Sequence, residues 1–252
     1  MKILLSGKRS FAAEGLADLL RREGHSVVEV SAGEDLPEGA FDAVVNLGLR
    51  RDAPCRRIAE DALALAGFAA AAGVELFVQV SSLAVYGGSG KILRPATEIS
   101  PVGRNENGYA AMKKAQDAAL LSRRHPFKLI FVRPGVLFTE TKKFRSGGLG
   151  VRIGRLGIIL GDARTGLVVC RRDVFQAKIA ELLCAKNPRD LPQTVLLGEN
   201  TTKKAFLEAM LGGVWLPLPR RLTLLASKIL LPRRLHRRVC GLFSRALLAE
   251  KD

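Results

Sequence analysis

Cysteine and histidine are scarce in this chain. Its 252 residues hold four cysteines (Cys55, Cys170, Cys184, Cys240) with no Cys-x-x-Cys pair, and three histidines (His25, His125, His236). A chain of this length does not need disulfide staples, so the thiols read as reduced and the expected location is cytoplasmic. No Cys or His stands at metal-ligand spacing from another, so the sequence offers no metal site. Aromatic residues make up 6%, with Trp215 and two tyrosines among them. That is a poor stacking surface, and with no nucleic-acid motif present it argues against a nucleic-acid partner. Acidic residues number 24 against 40 Lys plus Arg, a net charge of +16. Such a surface attracts phosphates or anionic lipid. No apolar run approaches the roughly 18 residues that would cross a bilayer. The opening Met-Lys-Ile-Leu-Leu reaches Ser6 and Gly7 too soon to hold the core of a signal peptide. A 48% hydrophobic content supports a core, which excludes a wholly disordered chain. The length fits one large domain with a small appendage.

Short apolar runs alternate with helical patterns over the first half. Strands are expected at 2–6, 26–30, 41–47, 76–80 and 128–132. Helices are expected from Phe11 to Gly24 and over 57–72 and 107–124. This alternation predicts an α/β fold, a doubly wound parallel sheet with helices on both faces. After Gly135 the pattern weakens. Residues 145–161 read as loop with short strand pieces. A helix is expected over 173–185, a strand over 194–197, and a helix capped by Thr201 or Thr202 running to Leu211. The division expected is a core of residues 1–140 closed by 162–200. Residues 141–161 and 201–252 would form a small lobe with a basic helical end.

Two segments carry chemistry. Tyr109 and Lys113 stand four apart, on one face of a helix. A tyrosine that exchanges a proton near neutral pH must be lowered from a pKa of about 10, and an ammonium nearby does that. Upstream runs Phe77-Val78-Gln79-Val80-Ser81-Ser82-Leu83-Ala84-Val85-Tyr86-Gly87. With the first strand and its glycine, Asp-Ala-Val-Val-Asn-Leu-Gly at 42–48, the Tyr-x-x-x-Lys pair and Arg133-Pro134-Gly135-Val136, the order and spacing resemble the extended short-chain dehydrogenase/reductase family. That family includes the nucleotide-sugar epimerases and dehydratases. The resemblance implies a Rossmann-type fold and a nicotinamide dinucleotide cofactor. It makes Tyr109 the general acid/base, Lys113 its partner on the nicotinamide ribose, and Ser82 the holder of the reacting oxygen. Cofactor contacts are implied for Gly7, Lys8, Arg9, Ser10, Phe11, Ser31, Leu47, Gly48, Tyr109, Lys113, Pro134 and Val136. Substrate contacts are implied for Ser82, Val85, Tyr86, Arg171 and Arg172.

The first loop departs from the family's Gly-x-x-Gly-x-x-Gly. It reads Gly7-Lys8-Arg9-Ser10-Phe11-Ala12-Ala13, with the first glycine alone retained. Glycine lets amides approach a pyrophosphate and helix pack on strand, so the loop works in altered form or cofactor binding is lost. The family's acidic position at the end of the second strand falls near Ser31, with Glu29 inside the strand, and Lys8 and Arg9 in the first loop are cationic. This favours NADP over NAD.

Leu83-Ala84 follows Ser82 where sugar-nucleotide dehydratases carry Asp-Glu, which disfavours elimination. Epimerisation or simple carbonyl reduction remains. A phosphate-bearing, nucleotide-linked sugar would suit the cations near the small lobe. The alternative is a degenerate relative that serves as a sensor or assembly partner. Residues 219–252 interleave leucines with Arg and Lys. They read as a lid, a homodimer element, or a segment that docks peripherally on anionic membrane.

Overall fold

The computed structural model describes residues 1–86, 108–141, 149–153, 156–160, 163–164 and 166–218. The basic segment 219–252 and Lys142, Lys143 and Arg145 lie outside the described residues. No described helix is long and apolar enough to cross a membrane. The described residues form two compact units. One holds residues 1–86, 108–134 and 170–197, and the other 135–169 and 198–218. The chain therefore changes unit at Gly135, where the sequence placed a boundary at 140.

The first unit is built on β1 (Lys2–Ser6), α1 (Leu16–Arg22), β2 (Ser26–Val30), β3 (Ala43–Asn46), α2 (Cys55–Ala71), β4 (Leu76–Val80), α3 (Tyr109–Leu121), β5 (Lys128–Pro134) and α4 (Arg172–Leu183). One further strand, Thr194–Leu197, pairs parallel with β5 and closes the sheet. The strand order is 194–197, β5, β4, β3, β1, β2, and every pairing is parallel. The chain leaves β1 toward β2 and then returns to place β3 on β1's other side. That reversal opens a crevice at the strands' carboxyl ends, where such folds bind ligands. β4 is buried along its whole length and β5 from Leu129 onward. Helices α2 and α3 pack on each other. Phe77 stacks on Phe127 at 5.2 Å within a core that takes in Leu65, Ala69, Leu120 and Phe131.

The main departure from the sequence expectation lies in α1. The helix begins at Leu16, behind a left-handed Gly15 with φ of 84°. Residues from Gly7 are instead wound through three successive turns: Ser10 N–H to Gly7 O, Ala13 N–H to Ser10 O, and Leu16 N–H to Ala13 O. Phe11, assigned to the helix from its apolar character, therefore sits in a loop.

The second unit was read from sequence mostly as loop. Strands 136–138, 166–171 and 199–202 form one small sheet, and strands 150–153, 156–160 and 214–218 another. Its core gathers Phe206, Leu207, Met210 and Trp215. Gly157 faces Trp215 so closely that a Cβ there would come within 2.2 Å of the indole. Thr202 caps the helix Lys203–Leu211 by accepting the N–H of Ala205.

Candidate active site

The crevice is floored by polar side chains in register across the sheet. Ser6 lies beside Asn46, and Asn46 beside Gln79. All three are buried. Each therefore needs a partner, because an unpaired buried polar group costs about 1–3 kcal/mol. Asn46 donates to Gln79 Oε1 at 2.8 Å and accepts the Gly48 N–H at 3.0 Å. Gln116, on α3, donates to the Gly48 carbonyl at 2.8 Å. Gly7, with φ of 91°, passes so close that a Cβ would lie 2.5 Å from the Gly48 nitrogen. Only glycine fits there, because the β1 and β3 loops approach each other this closely. Leu47 is buried with its N–H on Ser6 O.

Ser82, Tyr109 and Lys113, the set implied by the sequence, stand just after β4 and over the first turn of α3. Ser82 follows β4 and lies close enough to the Tyr109 hydroxyl to help lower its pKa. Tyr109 opens α3, and Lys113 lies one turn on, 3% exposed. The tyrosine keeps 41% of its surface open, but its hydroxyl end is desolvated. Burial raises its pKa above 10, Ser82 and the charge of Arg51 pull it down, and Asp117 adds to the rise. Lys113 is placed otherwise than the sequence implied. Its ammonium donates to Val80 O at 2.7 Å and Gln116 Oε1 at 3.0 Å. Burial lowers it to about 8, Asp117 opposes the shift, and Arg51 adds to it. The cation acting on the phenol is Arg51, in the loop after β3, whose guanidinium stands 5.5 Å from the Tyr109 ring.

Behind this set runs a second buried group that sequence reasoning missed. Ser81 donates to Asp117 at 2.6 Å, and Arg133 pairs with the same carboxylate oxygen at 3.1 Å. Arg133 also donates to the Tyr86 hydroxyl and lies 4.9 Å from its ring. Tyr86, expected on the substrate, thus holds its hydroxyl on Arg133. Val85 is fully buried, with no surface left for a ligand. Adjacent serines divide the work, Ser81 facing inward to Asp117 and Ser82 facing Tyr109. The spacing Tyr109, Lys113, Asp117 was the available signal, since steps of four put all three on one helix face.

The other expected ligands are placed as follows. Lys8 pairs with Glu34 at 3.2 Å, and Arg9, 82% exposed, reaches the same carboxylate at 3.8 Å. Glu34 also accepts the Ser31 N–H at 2.7 Å. That bond, with Lys8, holds its carboxyl down at about 2. Its contribution is therefore present above the ordinary carboxylate range and is lost only as pH falls toward 2. A carboxylate beside Ser31 is thus supplied from three residues further on, by the turn after β2. Ser10 caps the first loop by accepting the Ala13 N–H. Arg172 pairs with Glu14 at 2.7 Å, donates to Phe11 O and covers the Phe11 ring at 4.9 Å. Gln176 donates to Ala12 O and Glu14 O. These two α4 residues hold the glycine-poor loop from its outer side, a role other than substrate contact. Arg171 pairs with Asp173 two residues on. Pro134 ends β5, and Val136 packs in the second unit's core.

Residues 38–151 match the NAD dependent epimerase/dehydratase family. No curated protein matches the sequence. Among solved structures, the chain is similar to a short-chain dehydrogenase/reductase superfamily protein from Agrobacterium tumefaciens with bound NAD. That pair is 19% identical over 87% of this chain and 85% of the other, with a TM-score of 0.67. A human epimerase family protein with NADPH is 17% identical over 96% and 93%, with a TM-score of 0.58. A UDP-glucuronic acid 4-epimerase from Bacillus cereus in complex with NAD is 14% identical over 87% and 88%, with a TM-score of 0.63. The segment that matches the NAD dependent epimerase/dehydratase family carries Ser82, Tyr109 and Lys113, and the chain as a whole shares the fold of these short-chain dehydrogenase/reductase and epimerase structures.

Proposed function

We propose that the first unit binds a nicotinamide dinucleotide and interconverts a secondary alcohol and a ketone on a phosphate-bearing, nucleotide-linked sugar. The observation that carries this reading is Ser82, at the end of β4, close to the Tyr109 hydroxyl, with Lys113 buried one helical turn further along α3. When bound, the nicotinamide supplies or takes the hydride. Ser82 holds the reacting oxygen, and Tyr109 gives or takes its proton. Arg51 favours the phenolate, while Lys113, fixed by Val80 and Gln116, is positioned to donate to a ribose hydroxyl. Epimerisation or reduction is favoured over dehydration, because Leu83 and Ala84 follow Ser82 and neither can exchange a proton. Glu34 supports NAD over NADP: its carboxylate repels a 2′-phosphate and accepts from ribose hydroxyls, and it neutralises one of the two cations that favoured NADP.

Calorimetric titration tests the cofactor reading. NAD is expected to bind more tightly than NADP. Glu34→Gln should narrow or reverse the gap, since a charge-assisted hydrogen bond contributes about 1.5–3 kcal/mol. Tighter NADP binding in the unmodified protein returns Lys8 and Arg9 to the 2′-phosphate. Binding of neither favours the second reading, a non-catalytic sensor or assembly partner. The observation behind that reading is the replacement of the glycine-rich helix start by three turns.

The role of Arg51 is open to a test that needs no substrate. The chain has two tyrosines, so tyrosinate absorbance can be followed against pH and the Tyr109 transition assigned with Tyr109→Phe. Arg51→Gln is expected to move that transition upward, because a cation beside the phenol favours its ionised form. An unmoved transition removes Arg51 from the proton chemistry.

A further inference from the structure

At the far end of α4, away from Tyr109, three side chains of different donor chemistry converge. Glu23 is the residue that ends α1, and its N–H is bonded to Leu19 O. Gly24, with φ of 87°, turns the chain. His25 follows with its N–H on Leu20 O at 3.1 Å. Cys184 ends α4 with its N–H on Ala180 O at 3.0 Å. One carboxylate oxygen, one imidazole nitrogen and the thiol sulfur all lie within 4.8 Å of one another. The sulfur is 3.9 Å from His25 Nε2, across 159 residues of sequence.

We propose that Glu23, His25 and Cys184 form a binding site for one zinc-like divalent transition-metal ion. The donor set of thiolate, imidazole and carboxylate is the one such an ion prefers. In a tetrahedral zinc site, bonds of about 2.3 Å to sulfur and about 2.0 Å to nitrogen put those two ligands roughly 3.5 Å apart. The observed gap needs a closure of a few tenths of an ångström, within reach of a side-chain rotation. Each ligand stands on backbone already fixed by a hydrogen bond, so little ordering remains to be done. Arg21 is turned to Asp18 and Glu29, which leaves the Glu23 carboxylate without an ion pair among the described residues. A groove of about 490 Å³, lined by Leu19, Glu23, Ala177, Ala180, Glu181 and Cys184, adjoins the site. It leaves the fourth coordination position open to water or an exogenous ligand. The bound ion clamps the α1–β2 corner to the end of α4, the helix whose Arg172 and Gln176 hold the first loop. The site is independent of the proposed reaction.

The test uses the reduced, chelator-treated full chain and Co²⁺ as a spectroscopic probe. Co²⁺ is expected to bind one-to-one with a thiolate-to-metal charge-transfer band, more tightly as pH rises because the thiol must lose its proton. Zn²⁺ should displace it and raise the melting temperature, as a ligand of the folded state does. Cys184→Ser, at an exposed position, and His25→Ala, at a half-buried one, both checked for folding by circular dichroism, should abolish the band and the thermal shift. Cys55→Ser should leave both intact. Absence of the band in the unmodified protein, or its survival in Cys184→Ser, overturns the assignment.

Discussion

Replacing Tyr109 with phenylalanine is expected to leave a folded protein that still binds its dinucleotide and has lost turnover about 10²–10⁴-fold, the usual contribution of a positioned acid/base. The substitution removes one oxygen. Tyr109 is 41% exposed, so the ring stays where it is and the core is untouched. Ser82 loses the phenol but keeps the Ala84 N–H, which donates to its hydroxyl at 3.2 Å. Lys113 does not depend on the phenol either, because Val80 and Gln116 hold its ammonium. Cofactor affinity should therefore persist while the proton has nowhere to go. The comparison needs two measurements, dinucleotide titration and turnover on nucleotide sugars or model ketones. Turnover in Tyr109→Phe equal to that of the unmodified protein would place the proton transfer elsewhere. A joint loss of binding and turnover would give Tyr109 a structural role instead.

Asp117→Ala should be the most damaging single change to stability. The ion pair it forms with Arg133 is almost wholly buried, with side-chain exposures of 0% and 2%. Burial raises the Asp117 pKa, and Ser81, Arg133 and Lys113 all oppose that shift. Truncation strands the Arg133 guanidinium and deprives Ser81 of its acceptor. Breaking a buried pair in this way costs about 3–5 kcal/mol, against a total domain stability of about 5–15 kcal/mol. Urea denaturation should show a lower midpoint at an unchanged slope. Replacing both partners by apolar residues, Asp117→Leu with Arg133→Met, is expected to recover most of the loss, because no charge is then left unpaired. A loss below about 1 kcal/mol in Asp117→Ala would mean that water reaches Arg133.

The polar groups behind Tyr109 illustrate where sequence reading stops. Lys113, Lys114, Gln116 and Asp117 are consecutive or nearly so on α3, and such a run ordinarily marks a solvated face. Here all four are buried. What reverses the reading is their neighbours: the Val80 carbonyl, Gln79, Gly48, Ser81 and Arg133 come from the ends of β3, β4 and β5. Arg51 was overlooked for the same reason, since an arginine in a basic chain carries no mark of what it faces.

The sequence by itself determined the strands of the parallel sheet, because short apolar runs bounded by glycine, proline and polar residues leave few alternatives. It also determined that Tyr109 and Lys113 share one helix face, which depends only on helical pitch, and that Ser82 lies near Tyr109, which depends on the order of motifs along the chain. Tertiary structure alone decided what surrounds them. Glu34 returns to Ser31 because of how the turn after β2 closes. The first loop is held by Arg172 and Gln176 because α4, more than 150 residues later, packs on α1. His25 and Cys184 meet for the same reason. These contacts depend on strand order and helix packing, which bring together residues that no local spacing rule connects.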